Sequence, residues 1–216
     1  MASSTIIENE YKELSLLMTD IQADALREVA NVGSGHAVTA LSEMTGQPFN
    51  MSVPNVGLQQ LVGIHGHLGS DESVAAAVYM PVDGDAPGHA AFVFQLQSAC
   101  NLVDMLLCQE PGTTSELGEL ECSALMEVGN ILVGSFLGAL SEMTGLCFPL
   151  APPGIAIDMT AAIVESIAAA SPLLGNHALT ITTRLDDAER PVEGIFAFIP
   201  EPAALPVIFT ALGIGD

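Results

Sequence analysis

Two stretches of the chain carry apolar residues at helical spacing, 20–46 and 117–145. Each stops at a glycine, Gly46 and Gly145, placed for a helix C-cap. Thr19, Asp20 and Ser115 stand where N-caps are expected. Short extended pieces follow at 49–56 and 147–150. The runs VAAAVYMPV (74–82) and HAAFVFQL (89–96) predict a hairpin around DGDAPG. ALTITTRL (178–185) and VEGIFAFI (192–199) predict another around DDAERP. Further helices are expected at 98–109, about 156–170 and 202–213, and the first half should place a shorter counterpart of 156–170 near 57–63. The class is α/β, with long helices laid on antiparallel sheet.

The chain is a duplication. Between 24–54 and 123–153, aligned without gaps at an offset of 99, 15 of 31 positions are identical, including the run ALSEMTG. A second echo pairs FVFQLQSA (92–99) with FAFIPEPA (196–203) at an offset of 104. Two copies are too few for a solenoid and predict a pseudo-two-fold arrangement. The chain is therefore expected to be one domain over 1–216, built of repeats at about 20–110 and 117–214, with 1–14 as an N-terminal extension.

At about 100° per residue, Asp24, Glu28 and Asn31 fall within about 60° of one another on the first long helix. Leu26, Val29 and Gly33 take the opposite side. The second helix repeats the plan, with Ser123, Glu127 and Asn130 in front and Leu125 and Val128 behind. One exposed acid–amide pair is unremarkable, since such residues three apart commonly meet on a solvated face. This pair persists in both copies although its neighbours differ, Arg27 against Met126 and His36 against Ser135. A proline also follows each asparagine by 23 residues, Pro54 and Pro153. Gly33, Gly35, Gly129, Gly134 and Gly138 lie close to the pairs, where a glycine costs a helix up to about 1 kcal/mol. Close approach of the two long helices at these glycines is the expected compensation.

Charge alters the picture of the surface. The chain has 216 residues, 50% of them hydrophobic, with 26 Asp+Glu against 4 Lys+Arg and a net charge of −22. The apolar content excludes intrinsic disorder, and the charge argues against nucleic acid or an anionic membrane as a direct partner. Self-repulsion of this size is tolerable where salt shortens the Debye length to about 3 Å at ~1 M, which points to a halophilic source. Apolar runs broken by charge, proline or glycine predict no membrane span, and no secretory signal is evident, so a cytoplasmic protein with reduced, buried thiols is expected. Cys100, Cys108, Cys122 and Cys147 form no CxxC pair, and His65 and His67 lack further ligands, so no metal site is predicted. Ser42 and its copy are read as a last helical turn, because no base accompanies them. Asp83-Gly84-Asp85 is read as a hairpin turn that lacks the later ligands of a calcium loop.

The doubled pattern Asp24-xxx-Glu28-xx-Asn31…Pro54 and Ser123-xxx-Glu127-xx-Asn130…Pro153 resembles the CheC family of chemotaxis phosphatases, as do GSGHAVTALS and GHAAFVFQLQSACNLVDMLL. The resemblance extends over nearly the whole chain beyond about residue 14. It implies hydrolysis of the aspartyl phosphate of the response regulator CheY, and the acidic composition adds the expectation of a member from a halophilic archaeon. It also implies no cofactor of the chain's own, since Mg²⁺ and a lysine reside on the CheY substrate. Asn31 and Asn130 would orient the attacking water, because an amide both donates and accepts hydrogen bonds. Glu28 and Glu127 would dock the regulator's lysine, and Asp24, Ser123, Pro54 and Pro153 would support the motif. Phosphorylated CheY and the receptor deamidase CheD are the implied partners, the 156–170 helix being a candidate CheD surface. Two other readings are a noncatalytic adaptor for CheD or phosphorylated CheY, and a flagellar-switch component, which would carry an additional surface-binding segment. The aspartate at 24 against the serine at 123 makes the two sites similar but not equivalent.

Overall fold

The computed structural model describes residues 18–60, 64, 70, 72–170, 177–186 and 192–215. The proposed 1–14 extension, His65 and His67 lie outside the described residues. The elements run α1 (Asp20–Thr45), β1 (Asn50–Gln60), β2 (Val74–Val82), β3 (Gly88–Gln95), α2 (Leu96–Leu106), α3 (Glu119–Thr144), β4 (Gly154–Met159), α4 (Thr160–Ala170), β5 (His177–Asp186), β6 (Val192–Pro200) and α5 (Ala204–Ala211).

Local chemistry sets the ends of the long helices. Thr19 caps α1: its hydroxyl accepts the Gln22 N–H at 3.3 Å, while its own N–H donates to Gln22 Oε1 at 2.9 Å. Asp20 is the first helical residue rather than the cap. For α3 the cap is Gly118, not Ser115, and its N–H donates to Glu121 Oε2 at 3.0 Å. Gly46 and Gly145 end the helices in the left-handed region, φ 70° and 73°, where a Cβ would be strained. Their N–H groups donate to the carbonyls of Ser42 and Ser141. The two serines serve the same turns: Ser42 Oγ accepts from the Phe49 N–H, and Ser141 Oγ donates to the Leu146 carbonyl.

All six strands join one antiparallel sheet in the order β1-β5-β6-β3-β2-β4. Exchanging β1 with β4, β2 with β5 and β3 with β6 leaves this order unchanged apart from direction, so the sheet carries the duplication as a pseudo-two-fold. The register agrees with the sequence offsets. Ile157 pairs with Ala76, Leu179 pairs with Leu58, and Leu58 stands 99 residues before Ile157.

Alternation along the strands builds a core on each face. Val78, Met80, Phe92, Phe94, Ile181 and Phe198 point at the long helices, where they meet Leu26, Leu41, Leu125 and Phe136. Ala75, Ala77, Ala91, Val93, Ile195 and Ala197 point the other way, beneath Ile163, Val164 and Ile167 of α4. Burying each of the larger side chains stabilises the fold by about 1.5–3 kcal/mol relative to exposure. On this second face Tyr79 stacks on His89, their rings 5.1 Å apart, with Tyr79 Oη hydrogen-bonded to His89 Nδ1. Burial pushes the His89 imidazole below its usual range, opposed by Glu201.

Several expectations are corrected. Residues 154–159 form β4, so the helix expected over 156–170 begins only at Thr160. Residues 57–60, expected in a helix, continue β1, and 61–63 lie outside the described residues. A short apolar run such as GIAIDM fits a strand or a helix, and pairing with β2 decides the matter. The extended piece expected at 147–150 is present beside the end of β2: Leu150 bridges Val82, and the Pro149 and Cys147 carbonyls accept the Asp83 and Asp85 N–H groups. The helices expected at 98–109 and 202–213 are shorter, at 96–106 and 204–211. Among the thiols only Cys100 is buried; Cys122 is half-buried, and Cys108 and Cys147 are exposed. The Asp83–Asp85 turn forms as expected, with Gly84 at φ 95° and the Asp85 carboxylate accepting the Cys147 N–H at 2.8 Å. Although α3 is long and apolar enough by composition to cross a membrane, half of its most apolar window is buried within the molecule.

Candidate active site

Helices α1 and α3 run antiparallel to each other over the sheet. Gly33 meets Phe136, and a Cβ built on Gly33 would lie 2.6 Å from that ring. Nearer the start of α1, Leu26 and Val29 line a cavity of about 20 Å³ together with Leu137 and Leu140 from the second half of α3. The cavity is about the size of a single water molecule, and its walls are apolar apart from Thr180. Close approach at glycine occurs between the helices at Gly33 alone. Gly129 instead admits Val78 of β2, 2.6 Å from a built Cβ, and Gly35, Gly134 and Gly138 face open space.

This packing turns one side of each helix outward. Asp24, Glu28 and Asn31 are exposed, and Leu26, Val29 and Gly33 are buried behind them. In the second repeat Ser123 and Glu127 are exposed and Asn130 is half-buried, with Leu125 and Val128 behind. The structure thus brings each Glu–Asn pair to the surface, one helical turn apart, on a rigid element whose reverse side is fixed by the core. The Asn31 carbonyl accepts the Ser34 hydroxyl at 2.9 Å, which leaves the side-chain amide unengaged by that contact.

The surroundings of the pairs differ. Arg27 forms an ion pair with Asp24, the only one among the described residues. At the corresponding positions Met126 is half-buried, and the Ser123 hydroxyl donates to the Glu119 carbonyl at 2.8 Å. The prolines differ as well. Pro54 lies in a bulge of β1 between Ser52 and Asn55, where its missing N–H breaks no ladder bond, and Pro153 stands directly before β4.

Two apolar residues beside the pairs escaped the sequence reading. Ile21 and Leu120 are 67% and 63% exposed, one turn before Asp24 and Ser123. The signal was available, since they too are separated by 99 residues. Asp104 is the other residue missed. It is fully buried at the end of α2, where its carboxylate accepts the N–H groups of Gly112 (2.8 Å), Thr113 (3.2 Å) and Thr114 (2.8 Å). Burial alone would raise its pKa, but the hydrogen bonds from Thr114, Gly112 and Thr113 outweigh burial and hold it below the usual carboxylate range. Asp104 therefore fastens the 107–114 connection that leads into α3. Among the described residues no cluster of three or more His, Cys, Asp or Glu side chains could hold a metal ion.

The sheet, its two antiparallel long helices and the outward acid–amide pairs define a CheC-like α/β fold. The CheC-like family model matches residues 21–58 and 120–157, one span in each repeat and again 99 residues apart. The CheY-P phosphatase CheC of Bacillus subtilis is 28% identical to the chain over 196 residues, covering 89% of the chain and 94% of that relative. CheC1 of Halobacterium salinarum is 25% identical over 140 residues, 63% of the chain and 69% of that protein. Among solved structures, a chain of Thermotoga maritima FliY superposes with a TM-score of 0.71 at 18% identity, covering 92% of this chain and 99% of that solved chain.

Proposed function

We propose that this chain is a phosphatase of chemotaxis signalling that hydrolyses the aspartyl phosphate of phosphorylated CheY. The observation that carries the reading is the doubled Glu–Asn pair, displayed outward from two core-anchored helices at equivalent positions of the repeat. The relative from Bacillus subtilis, matched over nearly its full length, supports it.

An acyl phosphate is already activated, so a phosphatase need only place a water in line with phosphorus. The water oxygen bonds to phosphorus as the P–O bond to the aspartyl carboxyl breaks. The aspartate leaves as carboxylate, and the water protons end on phosphate and solvent. Asn31 and Asn130 orient that water through an amide that needs no change of protonation. Glu28 and Glu127 pair with a lysine of the regulator and fix the docked geometry. Pre-positioning of this kind contributes several kcal/mol to lowering a barrier. The Mg²⁺ of the reaction belongs to the regulator and not to this chain.

In the same reading the protein is cytoplasmic, comes from a halophilic archaeon and is partnered by the deamidase CheD, with α4 as a candidate contact. The experiment follows decay of phosphorylated regulator with and without the protein. Faster release of phosphate supports the proposal. Binding without faster release would make the chain an adaptor.

A further inference from the structure

Each Glu–Asn pair carries an exposed aliphatic side chain on its own helix face. Counting about 100° per residue from Asp24, Ile21 falls at about 60°, on the same face as Glu28 at about 40° and about two turns, ~10 Å, before it. Leu120 takes the same place relative to Glu127. These two residues, 67% and 63% exposed, are the most exposed large hydrophobic side chains among the described residues. A second pair at the same repeat offset, Met44 and Met143, is 45% and 37% exposed in the last turns of the helices. Because Val29 and Leu140 line one cavity and Gly33 meets Phe136, the antiparallel alignment brings Met143 level with the start of α1 and Met44 level with the start of α3. Each acid–amide pair thus shares its helix face with an exposed aliphatic residue of its own helix.

Apolar residues gain nothing by standing in water at the N-terminal turn of an acidic helix, yet both repeats keep one there. Resting on the reading above, we propose that Ile21 and Leu120 are the apolar anchors by which each site docks a phosphorylated receiver domain, one that offers an apolar patch about two helical turns (~10 Å) from its active-site lysine. Charge complementarity points to this occupant: the glutamate takes the lysine, and the aliphatic side chain on the same helix face is covered as the two surfaces close. Closing the interface over that face excludes water from the ion pair, which is worth little while it remains in water. An interface of this type concentrates its affinity in a few such central residues.

The test compares the wild-type chain with Ile21→Ser, Leu120→Ser, the double variant and Val207→Ser, a control at an exposed apolar residue of α5. Phosphorylated regulator decay is followed across regulator concentrations, and binding is measured to regulator carrying a beryllofluoride acyl-phosphate mimic. The double variant is expected to raise the half-saturating regulator concentration at least tenfold and leave the saturated rate within about twofold of wild type. Binding of the mimic should weaken in parallel, and the control should match wild type. Unchanged half-saturation and binding in a folded double variant would overturn the anchors and leave the phosphatase reading standing. If the wild-type chain neither binds the mimic nor accelerates decay, the phosphatase reading fails and the anchors fall with it.

Discussion

Phe92 of β3 lies directly opposite Phe196 of β6, and each is the other's counterpart in the duplication. The pseudo-two-fold axis therefore passes between these two residues, at the centre of the sheet. Both rings are buried, Phe92 stacked on Phe94 and Phe196 tilted against Phe136 of α3. The relationship ties the two repeats into one sheet and holds α1 and α3 in symmetric positions, so that neither Glu–Asn pair is placed by its own repeat alone. Replacing Phe196 by alanine is expected to cost about 3–5 kcal/mol and to impair both sites together. Chemical unfolding, combined with activity in Asn31→Ala and Asn130→Ala backgrounds, checks this.

Asn31→Ala and Asn130→Ala are each expected to retain part of the dephosphorylation activity, because the other site remains complete. The double variant should lose at least about 100-fold in saturated rate, the usual effect of removing a positioned hydrogen-bonding group from a transition state. Regulator binding should change little. A folded double variant that hydrolyses the regulator at the wild-type rate would refute the mechanism.

The glycines of the long helices should divide by what surrounds them. Gly33→Ala and Gly129→Ala drive a methyl group into Phe136 and Val78, at an expected cost of about 1–3 kcal/mol despite alanine's better helix propensity. Gly134→Ala and Gly138→Ala enter open space and should stabilise by about 0.5–1 kcal/mol. Urea midpoints of the four variants decide the point; equal effects across them would contradict the packing described.

Asp104 should make the protein sensitive to acid. Its folded pKa lies below the ordinary carboxylate value of about 3.9, so its hydrogen bonds stabilise the fold fully above that pH. The contribution is lost as pH falls through the lowered folded value. Asp104→Asn, which turns an amide group toward backbone N–H donors, should cost about 2–3 kcal/mol at pH 7. The gap between variant and wild type should narrow below about pH 4. Thermal unfolding across pH 2–7 measures it, and a gap that stays constant would remove Asp104 from the account.

Salt should stabilise the fold. A net charge of −22 repels itself in dilute buffer, and molar KCl screens it. A gain of about 2–3 kcal/mol corresponds to a rise in Tm of about 5–10 °C for a chain of this size. Scans from dilute buffer to ~2 M KCl would show it, and a flat or falling curve would end the halophilic reading.

By itself the sequence determined whatever depends on near neighbours. The helix ends at Gly46 and Gly145, the cap at Thr19, the two hairpins and the outward face of Glu28 and Asn31 all follow from spacing within a few residues, and the 99-residue offset exposed the duplication. The tertiary structure decided what depends on distant partners. GIAIDM became a strand because β2 was available to pair with it, and the same pairing ended the expected helix at Thr160. Gly129 faces a valine of the sheet and not the other helix, which no helical wheel distinguishes. Asp104 reads as a surface acid on an amphipathic helix until the loop at 112–114 folds over it and supplies three N–H donors. Local preference is set by steric and hydrogen-bonding terms within a turn or two. Strand register, close approach and the burial of a charge are settled only when segments remote in the chain meet, because only then are their unsatisfied groups and apolar faces matched.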